Sequence, residues 1–215
     1  MKHTGKHIKD LIAEGENLQL DFKFEISDSK KIARSLAAFA NTSGGRLLVG
    51  VKDNGTIAGV RSEEEYYMVE AAASLYCSPA VKFRSKEWTV EGKLVLEIII
   101  EKSPDKPHYV PDRDGNKKVF VRVKDQNLLA NKVLLMLWKQ EKAGKPVEIR
   151  YREQEEMLMH YLEENAFITL SKFSRLAGIP RFLAEKILVN FIMLDIIHME
   201  ITEKQTYYRL VDHEA

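Results

Sequence analysis

Hydrophobic residues recur along this chain in two rhythms, and the switches between them mark its elements. Ile8, Leu11 and Ile12 fall on one side of a short helix over Ile8–Glu14. Leu18, Leu20, Phe22 and Phe24 then alternate with Gln19, Asp21, Lys23 and Glu25, which predicts a strand with Asp21 and Lys23 on its polar face. Ser27 and Asp28 supply a helix start, and Ile32, Ala33, Leu36, Ala37, Phe39 and Ala40 follow helical spacing. That pattern breaks at Asn41-Thr-Ser-Gly-Gly45, and a buried strand, Leu47–Val51, begins at once. The glycine pair allows positive φ at a helix end and close approach of another backbone. A turn at Asp53-Asn-Gly55 then brings in Ile57 and Val60 as a hairpin partner.

Further on, Glu63–Leu75 reads as a helix, and Val81–Arg84, Glu87–Val90 and Leu94–Ile100 as strands, the last being the most apolar segment. A loop with Pro104, Pro107 and Pro111 precedes an alternating strand, Val119–Val123. A helix from Asn127 or Leu128 to Lys142 closes the first domain, and Ala143-Gly-Lys-Pro146 reads as a linker. The sum is an α+β domain around a mixed sheet, residues 1–145. Residues 146–215 follow another grammar: helices over Arg152–Glu163, Ser171–Ala177 and Arg181–Leu194, then a ribbon of Ile196–Ile201 and Thr206–Leu210. Three short helices and a terminal hairpin resemble a smaller winged helix-turn-helix domain, with Gly178-Ile-Pro180 as the turn before a recognition helix.

The 215 residues carry a formal net charge of only +1, so no global basic field advertises a polyanion partner. From Pro146 onward eight Lys/Arg stand against twelve Asp/Glu, a net of −4, which leaves +5 for the first 145 residues. A polyanion site is therefore expected in the first domain. The one cysteine, Cys77, excludes an internal disulfide and a cysteine-based zinc site, and its apolar neighbours suggest a packed, inert thiol. No apolar run approaches the ~20 residues of a membrane span, and the first residues lack the core of a signal peptide. The expectation is a cytoplasmic protein with no membrane partner.

Gly15-Glu16, Leu20-Asp-Phe-Lys23, Ala38-Phe-Ala-Asn-Thr-Ser-Gly-Gly45, Leu47-Leu-Val-Gly-Val51 with Asp53 and Gly55, and Phe120-Val-Arg-Val123 together carry a family resemblance. Over roughly residues 12–130 the chain resembles the Schlafen AlbA-type domain, to which DNA binding is ascribed and which is common in bacterial proteins. Members joined to a winged helix are taken as transcriptional regulators, and the resemblance implies that role here. It also implies an alternative. Some vertebrate Schlafen proteins are RNA endonucleases with three carboxylates in a cleft, and Glu16, Asp21 and Asp53 are the residues that match. Family members usually have glutamate where Asp21 stands, and a glycine-serine pair where Lys124-Asp-Gln126 stands.

Each motif has a sharp and a plain reading. Glu16, Asp21 and Asp53 would hold Mg²⁺ or Mn²⁺ under the endoribonuclease alternative, and no cofactor otherwise. Plainly, Asp21 pairs with Lys23 or Arg122, and Asp53 bonds to its own turn. Lys23, Arg46 and Arg122, with Lys52 and Lys124 behind them, would bind backbone phosphate, or they are solvated surface charge. The glycine pair lacks the surroundings of a phosphate loop and reads as a structural turn. His3 and His7 share a helix face without a third ligand, and His108 belongs to a loop packed on the sheet. In the second domain Arg181 and Lys186 would face DNA, with Lys172 and Arg175 on the preceding helix, and Glu185 stands against them. Phe182, Phe191, Ile192 and Met193 would serve a dimer contact or the domain's own core. The expectation is a DNA-binding transcriptional regulator acting as a homodimer; a nuclease and a protein-assembly module are the alternatives.

Overall fold

The computed structural model describes residues 5–144, 146–147 and 152–211. His3 and Lys145 of the expected linker lie outside these residues. The chain forms two compact units, Met1–Ala130 and Asn131–Ala215.

In the first unit α1 (Lys6–Glu14) precedes β1 (Leu20–Lys23), α2 (Ser29–Asn41) and β2 (Gly45–Val49). The elements α3 (Glu64–Leu75), β3 (Phe83–Val90) and β4 (Lys93–Ile100) follow, then β5 (Tyr109–Pro111), β6 (Lys117–Val123) and β7 (Gln126–Leu129). One sheet is ordered β1-β2-β4-β3, with β1 and β2 parallel and the other pairs antiparallel. A second, antiparallel sheet is ordered β5-β6-β7. The fold is α+β with a mixed sheet, as the patterning predicts.

Strand periodicity sorts the core. Leu47 and Val49 of β2, with Leu96, Ile98 and Ile100 of β4, pack with α2 and α3. Leu48 and Val95 point to the other face, where Ile8 of α1, Phe22 and Trp88 close a second cluster. Asp28 starts α2 by accepting from the amides of Lys30 and Lys31. That helix contacts both sheets and α3, so almost every residue from Ile32 to Asn41 is buried. Its alanines make such close packing possible. Burial pushes the Cys77 thiol up to about 12, which keeps it protonated and inert.

Several elements differ from the sequence reading. Strand β3 runs unbroken through Ser85 and Lys86 because β4 pairs with it along its whole length. Ile57 makes only an isolated bridge to Val51. Tyr109–Pro111 adds a short strand inside the proline-rich loop. Residues 127–129, expected to open a helix, instead belong to β7 (Gln126–Leu129) on β6, turned at Lys124 with φ 54°. Pairing with β6 overrides a local pattern that suits a helix.

The second unit holds α4 (Lys132–Ala143), α5 (Glu153–Glu164), α6 (Leu170–Leu176), α7 (Arg181–Met193) and the hairpin β8 (Ile197–Ile201) and β9 (Thr206–Leu210). Asn131 caps α4 by accepting from the Leu134 amide. Helix α4 packs on α7, so it groups with the second unit, whereas the sequence reading has it close the first.

Candidate nucleic-acid interface

Two charged clusters lie in the first unit, and the strand parity that builds its cores keeps them apart. Asp21 of β1 and Arg122 of β6 end in the interior, with 5% and 1% of their side chains exposed. Arg122 Nη2 lies 3.3 Å from Asp21 Oδ1 and donates to the carbonyls of Leu20 at 3.1 Å and Asn17 at 3.2 Å. Its Nη1 donates to Asn127 Oδ1 at 3.2 Å, and its guanidinium lies 5.0 Å from the centre of the Phe39 ring. Lys23 Nζ sits 3.0 Å from Asp21 Oδ2 and donates to the Phe22 carbonyl at 2.6 Å. Arg122 therefore cannot serve as the surface phosphate contact that alternation suggested. It is a structural cation, and Lys23 is turned onto the same carboxylate.

The end of α2 ties this cluster to the second sheet. Asn41 Nδ2 donates to the carbonyls of His108 at 3.0 Å and Phe120 at 2.9 Å. Thr42 Oγ1 accepts from the Arg122 amide at 2.9 Å. The Asn-Thr pair in the Asn-to-Gly block is thus a clasp between layers.

Glu16 joins Asp21 from the loop before β1. Its Oε1 accepts from the Phe22 amide at 2.8 Å. Burial raises the Glu16 pKa above the ordinary carboxylate value, and a hydrogen bond with Asp21 adds to the rise. The folded chain then holds this proton more tightly than the unfolded chain, so stability falls as pH rises from the ordinary range through the raised value. Glu16→Gln keeps the acceptor for Phe22 and adds a permanent donor toward Asp21. The expected result is a flatter Tm profile between pH 4 and 7, with Tm at pH 7 about 1–2 °C above wild type. A variant less stable than wild type at pH 7 would refute this account.

Asp53 does not join Glu16 and Asp21. It is exposed in the turn, where Asn54 Oδ1 accepts from the Thr56 amide at 3.0 Å. Among the described residues no group of three or more His, Cys, Asp or Glu side chains is placed to hold a metal ion. Asp21 already meets Arg122 and Lys23, and Glu16 shares a hydrogen bond with it. These carboxylates, Asp21 already paired with Arg122 and Lys23, do not fit a divalent ion.

Arg46 stands on the opposite face of the sheet. The register pairs Asp21 with Leu47 and Lys23 with Val49, so Arg46 shares the face of Leu48 and Phe22. There it meets Glu97, which sequence reasoning passed over inside the apolar run of β4. Glu97, 1% exposed, accepts from Arg46 Nη1 at 2.7 Å and from Trp88 Nε1 at 2.9 Å. His7 Nε2 lies 3.3 Å from the same carboxylate, and its ring packs 5.0 Å from that of Trp88. A lone acid in the most apolar strand was the available signal, because a buried carboxylate needs a cation. Lys52 and Lys124 are exposed, and Lys52 Nζ lies 5.3 Å from the Phe24 ring centre.

In the second unit, α6 and α7 are joined by a tight turn. Gly178 adopts φ 61°, the Ile179 amide donates to the Ser174 carbonyl at 3.1 Å, and Ser174 Oγ donates to the Ile179 carbonyl at 2.7 Å. Helix α7 buries Ala184, Ile187, Leu188, Val189 and Phe191, and it exposes Arg181, Phe182 and Lys186. Phe191 is thus core, and Phe182 is the apolar residue left outside. Glu185, which weighed against a DNA contact, is buried, with Lys132 Nζ at 2.6 Å and Arg181 Nε at 3.5 Å.

The family model described as Schlafen, AlbA_2 matches residues 16–131, more than half of the chain. The chain belongs to the Schlafen AlbA_2 family. The match covers β1 to β7, with both halves of the Asp21–Arg122 pair and the Asn-to-Gly block, and ends where the second unit begins. Among solved structures, the chain is similar to the DIP2311 protein from Corynebacterium diphtheriae, at 19% identity and a TM-score of 0.45, over 63% of this chain and 32% of that one. It thus spans about a third of that protein's length. It is also similar to the N-terminal domain of a RecG-related protein from Nitrosomonas europaea, at 23% identity and a TM-score of 0.40, over 58% of this chain and 94% of that one. No curated protein matches the chain. Among the described residues of this Schlafen AlbA_2 protein, no helix is long and apolar enough to cross a membrane.

Proposed function

We propose that this protein binds nucleic acid, and that it is a DNA-binding transcriptional regulator whose second unit acts as a winged helix-turn-helix. Membership of the Schlafen AlbA_2 family supports nucleic-acid binding. One observation carries the second-unit reading. The segment from Leu170 to Met193 contains Lys172, Arg175, Arg181 and Lys186, all exposed, while its single acid, Glu185, is buried. The acidic excess of the C-terminal region gathers elsewhere, with five glutamates on α5. Helix α7, following the turn at Gly178, is the natural reader, and β8–β9 with Lys204 at its tip is the wing. In the first unit Arg46, Lys52 and Lys124 remain as phosphate contacts, with Arg46 oriented by Glu97. A homodimer on a two-fold DNA site and a cytoplasmic location complete the proposal.

Binding of duplex DNA across salt concentrations tests it. Wild-type protein is expected to bind with an affinity that falls with salt, because cations displace condensed counterions. Arg181→Ala with Lys186→Ala is expected to weaken binding more than about tenfold and lower the salt slope by about 2. Tm of the double variant checks that the fold survives. An unchanged slope, or no binding by the wild type at low salt, would overturn the reading and leave an assembly role.

A further inference from the structure

A cavity in the second unit holds two cations and an unused hydroxyl, and none of its lining residues is acidic. It measures about 280 Å³, and Asn131, Lys132, Ser171, Arg181, Thr206 and Tyr208 line it, all within that unit. Tyr208 of β9 is 1% exposed, and strand alternation turns it inward, away from Tyr207 and Arg209. Two backbone hydrogen bonds with Ile168, both 2.9 Å, hold it there. Burial raises the Tyr208 pKa, the Glu185 charge adds to the rise and Arg181 opposes it. The hydroxyl therefore keeps its proton, and its end of the ring lies by both charged residues. Among the described residues no group donates to that hydroxyl or accepts from it. Glu185 places the cations and is not itself in the wall. Its buried carboxylate has Lys132 Nζ at 2.6 Å and Arg181 Nε at 3.5 Å, with 65% and 68% of those side chains exposed. One carboxylate balances one of the two cations, so a positive charge is left over. Asn131 Nδ2 donates to Thr206 Oγ1 at 3.0 Å, which leaves the Thr206 O–H to donate. Asn131 also starts α4, a helix of 12 residues whose first amides have no acceptor within the helix and add partial positive charge.

A buried donor without an acceptor is costly, and the charge around this one is positive. A matching ligand brings oxygen acceptors and a single negative charge. A phosphate diester has that charge, but its two ester arms bar it from a hydroxyl so deeply set. A phosphate monoester dianion carries twice the charge that the cations leave unbalanced. A terminal carboxylate meets both conditions. We propose that this cavity binds the carboxylate of a small organic acid. One carboxylate oxygen accepts from Tyr208 Oη, and Lys132 and Arg181 hold the charge. The hydroxyls of Ser171 and Thr206 suit an acid with a short, hydroxylated body. The site stands independently of the helix-turn-helix reading, because ligand binding without DNA tests it.

The probe is gluconate, a hydroxylated monocarboxylate, and its control is sorbitol, the same chain with an alcohol in place of the carboxylate. Calorimetry on the full chain at pH 7 and constant ionic strength measures affinity, and the Tyr208 ring resonances locate the ligand. Gluconate is expected to shift those resonances saturably and to bind at least about tenfold more tightly than sorbitol or inorganic phosphate. Tyr208→Phe is expected to weaken gluconate about tenfold, with Tm equal to wild type or higher, because an unpaired buried hydroxyl is removed. Lys132→Gln is expected to weaken gluconate by a similar factor. If Lys132→Gln fails to fold because Glu185 loses a cation, Tyr208→Phe and the sorbitol comparison still decide. Absence of saturable gluconate binding, which means a water-filled cavity, overturns the proposal. So do equal affinity for sorbitol, tighter binding of phosphate, or a Tyr208→Phe variant with unchanged affinity or a lower Tm.

Discussion

Arg122→Met is expected to destabilise the first unit by about 3–5 kcal/mol, the range for removing one partner of a buried ion pair. Methionine roughly fills the space of the arginine stem but supplies no donors. The carbonyls of Asn17 and Leu20 and the Asn127 side chain lose hydrogen bonds, and Asp21 is left with Lys23 as its cation. Urea unfolding followed by circular dichroism reads the loss. The double variant Asp21→Asn, Arg122→Met is expected to recover part of it, since replacing both partners is milder than stranding one. A single variant within about 1 kcal/mol of wild type would show that this arginine does not organise the interior. The same experiment separates the structural role from the phosphate contact that strand alternation suggests, because a surface contact would change DNA affinity and leave stability intact.

Gly44→Ala is expected to cost about 2–5 kcal/mol, through two effects that act together. Gly44 has φ 71°, where an L side chain is strained, and its amide closes α2 by donating to the Phe39 carbonyl at 2.9 Å. A Cβ there would stand 2.7 Å from the Ile100 carbonyl oxygen and 2.8 Å from the Lys102 amide, both backbone atoms of the neighbouring chain segment. Relief requires the helix end and the end of β4 to move apart. Gly115→Ala is the control, because Gly115 has φ 82° and a Cβ on it would meet nothing within 4 Å; it is expected to cost about 1 kcal/mol. Equal losses of Tm in the two variants would show that only the backbone angle matters, and would refute the close approach.

The Asn-to-Gly block was legible in outline and opaque in detail. The helix ends at Asn41 with Thr42 as its cap, the Gly44 amide at positive φ bonds back to the Phe39 carbonyl, and β2 follows at once. The roles of Asn41 and Thr42 were not legible, because their partners, His108, Phe120 and Arg122, lie some 65 to 80 residues away in sequence. The candidate site shows the same division. Glu16 and Asp21 come together, while Asp53 stays in its turn and Lys23 and Arg46 take opposite faces. Glu97 passed unnoticed because hydropathy patterning treats one acid in an apolar strand as an interruption rather than as half of an ion pair.

Local sequence was enough to set the helices α1, α2, α3, α5, α6 and α7, the strands β1, β2, β4 and β6, and the terminal hairpin. In each, the period of apolar residues, a cap or a turn residue acts within a few positions of the chain. Long-range packing was needed to make 126–129 a strand, to place α4 with the second unit, and to turn Arg122, Glu97 and Glu185 into interior charges. Periodicity states which side of a strand or helix a residue faces. Whether that side meets water or another layer depends on what the rest of the chain brings over it, and the burial of a charge depends on a counter-charge arriving from a distant element.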